Sequence, residues 1–171
     1  KNESKVDTAF FCKPGGVPRV GPPHAIVQAP GMPIVLLYEV NAGNTFRLVP
    51  TDGRAHDPNA DLLYYGDAIG RWEGDTLVVD VRNLDERTWL DHAGNFHSDA
   101  LHVVERYTMI DPDHIQYEAT LEDPKVFSRP WKISMPVYRK IEKNLRLLEY
   151  ECVYYLQDLR YGNAKPVEVS R

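Results

Sequence analysis

Several kinds of signal are missing from this chain, and each absence excludes something. No apolar run approaches the roughly 20 residues that a membrane-crossing helix needs, so no membrane partner is expected. There is no basic stripe either: Lys and Arg total 20 against 25 Asp and Glu, a formal charge of -5. A mildly acidic surface repels phosphate backbones, which argues against a nucleic-acid partner. Gly-x-Ser-x-Gly is absent, and with it the nucleophile elbow of α/β hydrolases. Neither a P-loop nor a dinucleotide fingerprint occurs. The only cysteines are Cys12 and Cys152, without CxxC or zinc-ligand spacing. No helical period persists for three turns. Only Ile141, Leu145 and Leu148 have helix-like spacing, enough for one short helix within 140–148.

What is present is strand. The 171 residues are 43% hydrophobic and 26% charged, the profile of a single domain, 1–171, that can bury a core. Within Gly66–Val81, two strand-like runs flank Gly74-Asp75, a dipeptide suited to a two-residue hairpin turn. That turn sets Glu73 opposite Thr76, Trp72 opposite Leu77, Arg71 opposite Val78 and Gly70 opposite Val79. One face then carries Trp72, Leu77, Val79 and Val81 for a core, with Trp72 as its aromatic anchor. The other face carries Arg71, Val78 and Asp80. Further strands read at 25–29, 34–40, 45–49, 131–135, 137–141 and 147–155. A second hairpin, 101–110 with 115–121, turns at Asp111-Pro-Asp-His114. Residues 1–23 are a Pro/Gly-rich extended arm, and 50–65 and 83–100 lack either period. Sequential local hairpins predict an all-β fold: an antiparallel up-and-down barrel of lipocalin-like shape, or alternatively a two-sheet β-sandwich.

Two readings of the cysteines stand open. They are separate buried thiols, or one disulfide fastening the arm to the last strand; the second, which we favour, implies an oxidising compartment. A chain opening on Lys1 fits a processed or trimmed N-terminus.

The segment Gly70-Arg-Trp-Glu-Gly-Asp-Thr-Leu-Val-Val-Asp80 resembles a group of uncharacterised secreted bacterial proteins with a GRWEGDTLVVD-type motif. The likeness extends to Asp52-Gly-Arg54, to His97-Ser-Asp-Ala-Leu-His-Val-Val-Glu-Arg106, to Glu122-Asp-Pro124 with Arg129-Pro-Trp131, and to Glu149-Tyr-Glu-Cys152. It therefore covers most of 12–152. It implies a β-rich fold and a secreted or periplasmic location, and carries no activity with it.

Reactive side chains concentrate between Trp89 and Arg106. His92, His97 and His102 lie five apart, a spacing that converges on neither a helix nor a strand, so no metal and no cofactor are expected. Acid–base chemistry is the better expectation, with His97 or His102 as base or acid and Asp99 or Glu105 orienting it. On a strand, Glu105 and His102 point to opposite faces, so these two pair only through a bulge. Glu39 interrupts an apolar strand, and Arg47 on the next strand is its candidate partner. Tyr38 offers a hydroxyl from the opposite face. Trp89, Tyr64 and Tyr65 read as walls of a pocket for a small apolar or sugar-like ligand, with Glu39, Arg47 and His56 as polar groups around it.

The sequence thus predicts a secreted small-molecule enzyme, a lyase, isomerase or hydrolase. The alternatives are a non-catalytic binding protein, or a domain whose barrel is filled by side chains.

Overall fold

The computed structural model describes residues 7–40, 43–149 and 152. It is all-β, with two antiparallel sheets whose strands follow one another in chain order. The three-stranded sheet contains β1 (Ala25–Val27), β2 (Ile34–Val40) and β3 (Gly43–Val49). The five-stranded sheet contains β4 (Asp67–Glu73), β5 (Thr76–Arg82), β6 (His102–Asp111), β7 (His114–Glu122) and β8 (Trp131–Tyr138). Among the described residues no ladder joins β3 to β4 or β8 to β1, so hydrogen bonding does not close the sheets into one barrel.

The hairpins form where turn chemistry puts them. Gly74 takes φ +59°, and Glu73–Thr76, Trp72–Leu77, Arg71–Val78 and Gly70–Val79 are the observed partners. The β6–β7 hairpin closes with Asp111 opposite His114. In place of the two strands expected at 131–135 and 137–141, residues 131–138 form one strand through Pro136, which is tolerated because β8 is the outer strand of its sheet. Two further expectations of secondary structure fail. No helix forms within 140–148, where the described backbone makes only a turn at 143–144. Its apolar residues stay largely exposed, Ile141 at 80%. Residues 147–149 are not in a strand, and the rest of that expected strand, apart from Cys152, lies outside the described residues.

Alternation sorts the faces. Leu36, Tyr38 and Val49 of one sheet and Val79, Val81, Val103, Tyr117, Ala119 and Leu121 of the other are buried together in a single core. The sheets meet closely at Gly70, whose amide donates to the carbonyl of Pro50 at 2.7 Å. A Cβ on Gly70 would stand 2.6 Å from Val49 Cγ1, so this approach requires glycine. Trp72, expected in the core, is instead half exposed, because β4 is an edge strand and its end runs past the core. Cys12 and Cys152 are joined in a disulfide, with Cα atoms 5.5 Å apart. This pins the arm, as the favoured reading of the cysteines expects.

Candidate functional site

Three polar clusters contain most of the candidate residues, and the sheet faces decide which residues meet. The first lies between the sheets. Arg47 Nη2 donates to Glu105 Oε2 at 2.6 Å, and its Nη1 donates to the Tyr38 hydroxyl at 3.2 Å. The other Glu105 oxygen accepts from the hydroxyls of Tyr107 at 2.9 Å and Tyr117 at 3.0 Å. Burial pushes the Tyr38 phenol up to about 12. Burial also raises Tyr107 and Tyr117, reinforced by the Glu105 charge, so all three phenols keep their protons. Glu105 is 0% exposed. The cluster therefore acts as a polar rivet in an apolar core, and it is sealed from anything the size of a ligand. The pairing of Arg47 with Glu39 does not occur. Arg47 points inward, whereas Glu39 lies on the outer face and accepts from the Leu148 amide at 3.1 Å.

The 83–100 stretch is an ordered loop folded on its own polar groups. Trp89 pairs with Phe96 in an isolated bridge, and Gly94 lies against the Trp89 ring. His97 is buried at 3% exposure. Its Nε2 meets Thr88 Oγ1 at 2.7 Å and its Nδ1 meets the Ser98 carbonyl at 2.8 Å, so neither nitrogen is open. Asp99 orients no imidazole, because it pairs with Lys125 at 2.5 Å. His92 joins a different group, with Nδ1 3.1 Å from Asp7 Oδ2, which also binds Arg19 at 2.6 Å. Burial works to raise Asp7, but the hydrogen bonds from Arg19, Ala9 and His92 hold it at about 2. Tyr65 is partly buried against the core, which raises its phenol.

The second place where candidates meet is the outer face of the five-stranded sheet. Here period-two alternation sends Asp67 of β4, Asp80 and Arg82 of β5, His102 of β6 and Glu122 of β7 to one side. The irregular loop after β3 brings His56 onto them. His56 Nδ1 lies 2.6 Å from Asp67 Oδ2, and its Nε2 lies 2.9 Å from Asp80 Oδ1. Both ring nitrogens of His56 are thus engaged by carboxylates, which fixes the ring in place. The other Asp80 oxygen takes His102 Nε2 at 2.9 Å. His102 Nδ1 makes no hydrogen bond among the described residues, and Glu122 Oε2 is 3.9 Å away from it.

The electrostatics follow from this geometry. Partial burial works to raise the Asp80 pKa from 3.8, but hydrogen bonds from His102 and His56, with the charges of His102 and Arg82, hold it at about 2. Asp80 is thus an anion throughout the neutral range. It bonds His102 Nε2 and so orients the ring, with Nδ1 facing Glu122 Oε2 at 3.9 Å. The cluster is partly buried, with the His56, His102 and Asp80 side chains 18%, 21% and 25% exposed.

Sequence reasoning found His56 and His102 but not Asp80 and Asp67. The hairpin register had already placed Asp80 on the outward face. The missing signal was the convergence of loop 50–66 on that face, which no local pattern encodes. Among the described residues, no group of three or more His, Cys, Asp or Glu side chains has a geometry suited to a metal ion. No protein-family model, curated protein or solved structure matches the chain. The chemistry of the site is therefore read from its own geometry.

Proposed function

We propose that this protein is a secreted enzyme that performs cofactor-free acid–base chemistry on a small molecule, as a lyase, isomerase or hydrolase. His102 is the proton-transfer group, Asp80 positions it, and His56 holds Asp80. The observation that carries the reading is the His102 imidazole, anchored through Nε2 to Asp80, its Nδ1 making no hydrogen bond among the described residues and lying 3.9 Å from Glu122 Oε2. An anchored ring with one unoccupied nitrogen is what a general base or acid requires. Secretion is supported by the disulfide, which oxidising compartments favour, and by the resemblance to secreted bacterial β-rich proteins. For the architecture we favour the sandwich over the lipocalin-like barrel, because the ladders are separate and the space between the sheets is packed with side chains.

The test is a turnover screen across esters, lactones, enolisable ketones and eliminable hydroxy acids, using the parent and His102→Ala. Turnover lost by about 10²–10⁴-fold in His102→Ala supports the assignment. Turnover at the parental rate in that variant sinks it. A second reading, a non-catalytic binding protein, is favoured by one observation: Trp72 stands half exposed in an open groove of about 610 Å³. Saturable ligand binding without turnover across the screen would select it.

A further inference from the structure

The groove beside Trp72 lies where the edges of the two sheets part. One wall is the β1–β2 turn with Pro30, Met32 and Pro33, and the other is the start of the loop after β3 with Pro50, Asp52 and Arg54. Trp72 is 51% exposed and Met32 65%, so the groove offers an indole face that the fold leaves uncovered. Arg54 grips Asp52 through a forked pair, with Nε 2.9 Å from Oδ1 and Nη2 2.6 Å from Oδ2. Both side chains are more than half exposed and stand as a pre-formed polar edge. Their charges cancel, so the pair favours a neutral ligand over an ion. Three prolines in the walls carry no backbone N–H, which leaves the local main chain richer in acceptors than in donors. A ligand suited to these walls has an apolar face for the indole, no net charge and several hydroxyl donors.

We propose that this groove binds a neutral carbohydrate, one pyranose ring lying on Trp72 and its hydroxyls bonded to Asp52 and Arg54. The axial C–H face of a pyranose is apolar and packs on an indole, whereas its vicinal hydroxyls match a carboxylate–guanidinium edge. The groove is separate from the acid–base cluster but adjoins it. Arg54 lies two residues before His56 and feels the Asp67 charge. Binding here does not depend on His102 acting in catalysis.

The experiment is a titration of the whole protein with cellobiose, maltose, lactose and N,N′-diacetylchitobiose, read by calorimetry and by amide chemical shifts. The expected result is saturable binding of at least one disaccharide, with shifts centred on 28–34, 50–54 and Trp72. Trp72→Ala should weaken it by about tenfold, the scale of a lost aromatic stack. Trp72→Phe, which keeps a ring, should recover part of the loss. Trp131→Ala, at the other exposed tryptophan, should bind as the parent does. His102→Ala should also bind as the parent does, which separates this proposal from the catalytic one. No saturation by any of the four sugars overturns the proposal, as does equal weakening by Trp72→Ala and Trp131→Ala. Saturable capture of a proline-rich peptide at the same shifts, with no sugar bound, would overturn it in favour of a peptide groove.

Discussion

Arg47 and Glu105 lie 58 residues apart in the chain, on different sheets, yet their side chains meet at 2.6 Å with almost no exposure. An ion pair so deeply buried links the two sheets at one point. Removing one partner strands the other charge in the core. We expect Glu105→Leu or Arg47→Met alone to lose about 3–5 kcal/mol in urea unfolding. The double variant should recover only part of that loss, because an apolar pair leaves no orphan charge but strands the Tyr107 and Tyr117 hydroxyls that Glu105 accepted from. Single variants as stable as the parent would show that the pair contributes nothing.

Gly70 marks the second contact between the sheets. Its backbone φ is unexceptional, so the constraint is one of space: an added Cβ would stand 2.6 Å from Val49 Cγ1 and 3.0 Å from Thr51 Cγ2. Gly70→Ala should cost about 1–3 kcal/mol, as overpacking does. Gly70→Ala with Val49→Ala should relieve much of the steric part, and a calorimetric melting series would show the coupling.

How much of this was legible in the sequence depends on how local each feature is. The Gly74 hairpin and its register are written in adjacent residues, because turn type fixes register. Alternation correctly set His102 and Glu105 on opposite faces. Which partner each then takes is decided by contacts far along the chain. The neighbouring strand offers Glu39 to Arg47, but the partner Arg47 takes lies across the core. Trp72 has a core-forming identity and sits in phase with Leu77, yet the sheet edge leaves it half exposed. The aperiodic loop around His97 suggests a reactive imidazole, but the ring donates to the Ser98 carbonyl and bonds the Thr88 hydroxyl, which the folded loop brings to it from nine residues away.

The disulfide closes a loop with a sequence separation of 140. In the chain-entropy picture a crosslink of that span stabilises by about 5 kcal/mol. Cys12→Ser with Cys152→Ser should lower the urea midpoint, with much of the effect arising in the unfolded chain. Protection of the β5–β6–β7 amides should fall by a similar free energy, because those amides exchange through global unfolding. An unchanged midpoint would show that the arm is held by its other contacts, among them the Arg19–Asp7 pair.

Asp80 ties acid stability to the candidate site. Its pKa is about 2 in the folded protein against an ordinary 3.8. A depressed carboxyl stabilises the fold fully above the unfolded value, and that contribution is lost as pH falls through the folded one. Asp7, also held at about 2, acts in the same sense. The urea midpoint should therefore fall as pH drops from about 4 to about 2. Asp80→Asn should be less stable at pH 6 and fall less steeply in that window, because its uncharged amide has no proton to take up. It should also free the His102 ring, so that the His102 Nε2–H signal exchanges faster with water. An acid slope equal to the parent's would mean that Asp80 is not held by the two imidazoles, and the orientation of His102 would then need another cause.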